Sequence, residues 1–306
     1  MAAPERWDEA CFAVPAVRAL LASGMTVGVL CQENQRDLWQ SVAGVEVVAI
    51  PAKAKAKVVA ATLRGHWQAA LVWQPGLAAE AAHLAAVPRR LGPADRKLSK
   101  RLTHPLTFSV LPLDHRVRFY LAAVELLGIH TDHPEFFLPA AIDVVPVAGA
   151  VLLSPDSDYG PSHHWPLERW REIAARLLEN GRQVSVAGVN GPRGLAQALG
   201  HALGDSADFF DASLLGGSLP RLAGYPLVLA ADGSLPHLAA HAGATCITLF
   251  GPNDPVWKRP LGRRHAVVRR HVECAPCLLA KCPLDGRCQH ELPVERVWAA
   301  VCEKLA

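Results

Sequence analysis

Four of the chain's eight cysteines, Cys274, Cys277, Cys282 and Cys288, fall within fifteen residues, with two, four and five residues between them. Thiolates at that spacing, with Pro276, Pro283 and Gly286 to bend the chain, are what a tetrahedral metal site requires. Zinc is the expected ion and iron the alternative for four sulfur ligands. Two disulfides are the competing reading. The remaining cysteines, Cys11, Cys31, Cys246 and Cys302, lie singly in apolar runs, and the amino terminus carries no signal-peptide pattern. Both features favour reduced thiols and a structural metal knuckle. A zinc module that binds nucleic acid is a further reading of the same cysteines, but no basic recognition helix stands beside them.

A second kind of chemistry is written into two junctions where an apolar run gives way to a helical pattern. One spans 152–166 and contains Asp158, Tyr159, Gly160, His163 and His164; the other spans 229–240 and contains Asp232, Gly233, Ser234 and His237. In parallel α/β sheets, ligands gather beyond the carboxyl ends of strands, where helix amino termini offer unpaired N–H groups and partial positive charge. The amides of Gly233 and Ser234 therefore suit a phosphate, with Asp232 as a cap and His237 one turn inside the helix. An ordinary capped helix with a buried histidine is the plainer alternative.

Parallel sheets can present such junctions, and the sequence is patterned for them. Short aliphatic runs at 27–31, 45–50, 69–73, 150–154, 183–187, 227–231 and 245–250 alternate with amphipathic stretches, which predicts strands joined by crossover helices. Leu167, Trp170, Ile173, Ala174, Leu177 and Leu178 share one face of a helix opened by Pro166 and closed by Gly181, with Glu172 and Arg176 paired one turn apart. Helices are also predicted over 115–128 and 293–305. With 306 residues, 51% of them hydrophobic and 19% charged, the chain is long enough for two cores and too apolar for disorder. The proline-punctuated stretch 138–146 reads as a linker, giving domains at 1–146 and 147–306. No apolar run reaches a membrane span, so a soluble protein is expected. A net charge of +3 does not call for nucleic acid. A basic cluster, Arg89, Arg90, Arg96, Lys97, Lys100 and Arg101, suits either an anionic acceptor or lipid surface or a solvated face.

The segments 158–166, 232–239 and 250–255, the Pro260-Leu-Gly262 turn and the Cys-x-Pro-Cys cluster occur in the same order in family 9 glycosyltransferases, and the chain resembles their lipopolysaccharide heptosyltransferase members. Weaker pieces at 14–20, 63–65, 88–92, 102–106 and 125–128 extend the resemblance over essentially the whole chain. It implies the α/β GT-B fold, two facing Rossmann-like domains with parallel sheets. The second domain would hold ADP-heptose and the first a lipid-linked core oligosaccharide, in the cytoplasm with peripheral contact at the inner membrane. The implied reaction is an inverting transfer with no catalytic cofactor, in which a carboxylate deprotonates the acceptor hydroxyl and helix amides with a basic side chain neutralise the departing diphosphate.

Several positions depart from the family pattern. The presumed base, six residues before Pro15, falls on Glu9, with Asp8 in place of the expected glycine. What precedes it has no strand pattern, so the first domain is expected to lack its first strand. The family's phosphate-contacting lysine aligns with His163, and a histidine is positive only part of the time at neutral pH. Asp232-Gly233-Ser234 reverses the usual order of hydroxyl and glycine, and 188–192 lacks the usual acidic residue. Together these changes raise an alternative: a weak or inactive relative that serves binding or assembly.

Overall fold

The computed structural model describes residues 1–191, 194–212 and 215–306. The chain divides into two compact α/β units, Met1–Phe137 and Leu138–Ala306. In the second unit six parallel strands run in the order β11-β10-β9-β6-β7-β8. They are β6 (Ala150–Ser154), β7 (Gln183–Gly188), β8 (Ala207–Asp211), β9 (Leu227–Ala231), β10 (Thr245–Phe250) and β11 (Ala266–Arg269). Strands β6 and β9 are buried at every position, as expected of central strands covered on both faces. The helix Leu167–Glu179 buries Trp170, Ile173, Ala174 and Leu177, and the terminal helix Val294–Leu305 buries Val294, Val297 and Val301 in the same core. Trp165 and Trp170 meet edge to face at 5.5 Å beneath the sheet. The stretch expected as a linker is tied to this unit: the Ala140 amide donates to the His241 carbonyl at 2.8 Å.

The first unit is built differently. Strands β1 (Val27–Gln32) and β2 (Val45–Ile50) form one parallel pair, while β3 (Ala69–Leu71), β4 (Arg89–Pro93) and β5 (His104–Leu106) form a separate parallel sheet. Between them lies the place of the absent first strand, and the structure shows what stands there. Ala2 makes a parallel bridge to Leu30, the Ala3 amide donates to Leu30 and the Leu30 amide to Met1, while the Ala2 amide donates across to Leu71 at 2.9 Å. The Trp73 indole N–H adds a bond to the Ala2 carbonyl. Three residues thus stitch the two sheets using backbone groups alone, which is why no side-chain alternation announces them. Beyond Met1 the Trp67 ring fills much of the space against Gly28. A Cβ added to Gly28 would lie 2.2 Å from that ring, so only glycine fits. A small cavity of about 40 Å³ remains, lined by Met1, Gly28, Leu30 and Trp67 among others.

The first helix carries both candidate bases. It begins at Trp7 and runs to Ala22, eight residues ahead of Pro15, so Asp8 and Glu9 sit in its first turn, where the helix dipole favours carboxylates.

Candidate functional site

In the second unit the ends of β6, β9 and β10 bring both sequence-predicted junctions together. Asp232, directly after β9, is fully buried. Its Oδ2 lies 3.1 Å from His163 Nδ1 and accepts a 2.7 Å bond from Asn253 Nδ2, while its carbonyl accepts from Ser157 Oγ at 2.6 Å. Burial pushes the Asp232 carboxyl above its usual range, against the opposing pull of His163, Asn253 and Lys258. The Tyr159 ring meets His163 edge to face at 5.5 Å. His237 is buried within the helix Ser234–His241. Asp156, also buried, accepts from the amides of Val189, Asn190 and Ala196, fixing the β6 loop to the β7 loop and to the helix Leu195–Leu203. The stretch 188–192 ends on Pro192, which lies outside the described residues.

The expected phosphate cradle has an occupant of its own. The Ser234 amide donates to Asp158 Oδ1 at 2.7 Å and the Ser234 hydroxyl to Asp158 Oδ2 at 2.6 Å. A carboxylate of the chain therefore takes one of the two amides that the sequence assigned to a phosphate, together with the Ser234 hydroxyl. Asp158 lies inside the motif read from the sequence, yet nothing in its spacing showed that it would turn onto Ser234.

The cysteine segment requires a correction. Among the described residues no group of three or more His, Cys, Asp or Glu side chains is placed to hold a metal ion, which overturns the zinc or iron knuckle expected at Cys274, Cys277, Cys282 and Cys288. All eight cysteines are free thiols; Cys274 is exposed while Cys288 is buried in the short helix Arg287–His290. The segment between them is used as a docked loop. The Leu278 amide donates to the Pro252 carbonyl, and the Ser162 amide and hydroxyl donate to the carbonyls of Ala280 and Leu279. Gly160 permits this approach: at φ 117° it lies so close that a Cβ would fall 2.5 Å from the Ala280 carbonyl oxygen. Loop-to-loop backbone bonds hold this segment against the two junctions, so proline and glycine spacing that suits a metal turn serves a packed loop equally well.

In the first unit the two candidate bases have different fates. Asp8 is turned into the protein, fully buried, with two 3.1 Å bonds from Arg6. Glu9 lines a cleft of about 370 Å³ with Arg6, Trp73, Gly76, Arg116 and Tyr120. Its carboxylate takes two 3.1 Å bonds from Arg116 and a 2.6 Å bond from the Tyr120 hydroxyl. Burial, reinforced by Glu9, pushes the Tyr120 phenol well above its usual range; burial pulls Arg116 down, but Glu9 more than restores it. Arg116 and Tyr120 stand one turn apart near the start of the helix Val117–Glu125, a spacing that sequence reading passed over in favour of its apolar face. The wall Pro75-Gly76 is shared with a second recess of about 190 Å³, lined by Glu80, Lys97, Lys100 and Arg101. Arg101 is ion-paired with Glu80, and Arg90 is spent on the carbonyls of Arg101 and Val87.

With this geometry in view, comparison with known proteins is informative. The model of glycosyltransferase family 9 (heptosyltransferase) matches residues 136–287. Lipopolysaccharide heptosyltransferase 1 of Pseudomonas aeruginosa is 36% identical over 120 residues, which is 39% of this chain and 34% of that protein, so the match spans about a third of the relative's length. The fold extends further: the ADP-heptose lipopolysaccharide heptosyltransferase II of Escherichia coli superposes with a TM-score of 0.80 over 99% of this chain and 97% of its own, at 18% identity. A family 9 glycosyltransferase from Veillonella parvula gives 0.84 over 100% and 95%, at 14% identity. Two α/β units with separate parallel sheets share the GT-B-like fold of these structures, and residues 136–287, which carry the junction motifs, match glycosyltransferase family 9.

Proposed function

We propose that the chain is an inverting glycosyltransferase that moves a heptose from ADP-heptose to the inner core of lipopolysaccharide, at the cytoplasmic face of the inner membrane. The second unit would hold the donor and the first the acceptor. The observation that carries this reading is the convergence of His163, Asp232 and the Ser234 helix start beyond β6 and β9, on the segment that matches the family. In the reaction the acceptor hydroxyl gives its proton to Glu9 as its oxygen attacks the anomeric carbon. The carbon–oxygen bond to the diphosphate breaks with inversion, and ADP leaves with the electron pair. The amides of Gly233 and Ser234, together with His163, would meet the departing charge, with Tyr159, Gly160 and His237 shaping the pocket. Asp232 orients His163 through its Nδ1. On the acceptor side, Lys97 and Lys100 beside the Glu9 cleft suit an anionic core saccharide. Among the described residues no helix is long and apolar enough to cross a membrane, which leaves peripheral contact as the route to a lipid-linked acceptor.

The test is release of ADP from ADP-heptose in the presence of a heptose-bearing core acceptor. Wild-type turnover and a loss of about 10²- to 10⁴-fold in kcat for Glu9→Gln support the assignment; no release above background sinks it. A second reading, a non-catalytic relative that binds nucleotide weakly or not at all and serves binding or assembly of other partners, is favoured by one observation: Asp158 already sits on the Ser234 donors. Micromolar ADP binding that is lost in Ser234→Pro counts against that second reading.

A further inference from the structure

A donor diphosphate needs more positive charge than the residues considered so far provide. Asp158 and Asp232 place two carboxylates beside the helix start, and His163 is engaged with Asp232. A lysine ammonium is a compact point charge with three donors that suit phosphate oxygens. The short helix Pro255–Lys258, which follows β10 and is capped by the Asp254 side chain on the Val256 amide, ends on a half-buried lysine. Lys258 Nζ lies 5.8 Å from the centroid of the Tyr159 ring, and the Tyr159 ring in turn packs on His163. Its charge reaches Asp232 as well. Asp232 has His163 and Asn253 as hydrogen-bonding partners, and Asp158 has Ser234, so the ammonium is not needed to satisfy either carboxylate. A cation over an aromatic face and the four-carbon stem of a lysine give the ammonium reach beside this ring pair.

We propose that Lys258 contributes positive charge to the donor-diphosphate seat, from a point in the chain far from His163. This rests on the donor reading above and adds a binding residue to it. The experiment is calorimetric titration with ADP and with adenosine of the full chain and of the Lys258→Met and Lys258→Arg variants. Lys258→Met is expected to weaken ADP about tenfold or more while leaving adenosine within about twofold, since only the charged ligand meets the ammonium. Lys258→Arg, which keeps the charge, is expected to stay within about threefold of wild type for ADP. Unchanged ADP affinity in Lys258→Met overturns the assignment and leaves the donor reading intact. Equal losses for ADP and adenosine also overturn it, because they mark damage to the pocket. A wild-type protein that binds neither ligand overturns the donor reading and Lys258's part in it.

Discussion

In the second unit each strand from β11 to β8 is hydrogen-bonded to its neighbours, so the sheet is one continuous ladder. In the first unit the ladder is interrupted between β1 and β3, and its continuity depends on three residues and the Trp67 ring. A backbone ladder tolerates side-chain change as long as the alternation of faces survives. A side-chain plug tolerates almost none at its contact. The two units should therefore respond differently to small substitutions. Gly28 offers the sharpest test, because a single methyl there collides with the indole. Gly28→Ala is expected to destabilise the first unit by about 1–3 kcal/mol, the usual cost of overpacking. Hydrogen exchange read peptide by peptide should confine the loss to residues 1–137, and the same substitution in a Trp67→Ala background should cost markedly less. Equal costs in the two backgrounds would remove Trp67 as the plug and erase the contrast between the units.

Legibility in the sequence follows the same divide. Buried central strands such as β6 and β9 announce themselves as aliphatic runs, and the helix Leu167–Glu179 was readable from its apolar face and its Glu172–Arg176 pair, which the structure holds at 2.5 Å. The short strands β4, β5, β8 and β11 were not, since Arg89, Pro105 and Asp208 interrupt the pattern of the first three and β11 is only four residues long. The stitch at Met1–Ala3 was invisible because hydrogen bonds between main chains leave no trace in residue type. Within the site, residue types marked the two junctions that hold Asp232 with Ser234 and His163, while the contact between His163 and Asp232 spans 69 residues and is seen only in the structure. The pairing of Asp158 with Ser234 and of Glu9 with Arg116 and Tyr120 spans 76 and 107 to 111 residues. No short-range signal carries that information. The cysteines show the opposite failure: local spacing matched a metal turn while long-range docking used the segment as a loop.

Acid should loosen the two units through different groups, by a smaller amount. His265 accepts the Cys246 amide on Nδ1 at 3.0 Å, which requires that nitrogen to be unprotonated, while Nε2 faces the Leu261 carbonyl. Burial holds His265 below its usual value of 6.5, with the Leu261 bond opposing, and burial likewise holds His164 low. Unfolded chains take up these protons more readily than the folded unit does. Stability contributed by a depressed group is complete above its unfolded value and is lost as pH falls towards the folded one. The second unit is therefore expected to soften from about pH 6.5 downward. In the first unit burial pulls the Met1 amino group from its ordinary value of 8.0 to about 5, so that unit loses stability between about pH 8 and 5, while Glu125, held low chiefly by Arg118, begins to act only below the ordinary carboxylate range. Urea midpoints measured between pH 7.5 and 5 should fall for both units, and His265→Gln, which cannot take up the proton, should flatten part of the slope of the second unit alone. An unchanged slope in the variant would show that His265 is not among the groups responsible.

The finest comparison lies inside the site, between a seat filled by the protein and a seat filled by its ligand. If Asp158 occupies the Ser234 donors in competition with a diphosphate, the apparent affinity is reduced by the fraction of molecules in which the carboxylate is seated. Replacing the carboxylate by an amide exchanges charge-assisted bonds for neutral ones, a difference of about 1 kcal/mol. Asp158→Asn is then expected to tighten ADP by about three- to tenfold, with adenosine unaffected. A fall in ADP affinity would give Asp158 the reverse role, as a member of the seat that holds Ser234 in the orientation the donor needs. Since Gly233 has no side chain, the atom nearest its Cβ position is Asp158 Oδ1, 2.9 Å away, with Ser157 Oγ next at 3.4 Å. The glycine thus gives that carboxylate its clearance, and Gly233→Ala should displace Asp158 and move ADP affinity in the same direction as Asp158→Asn.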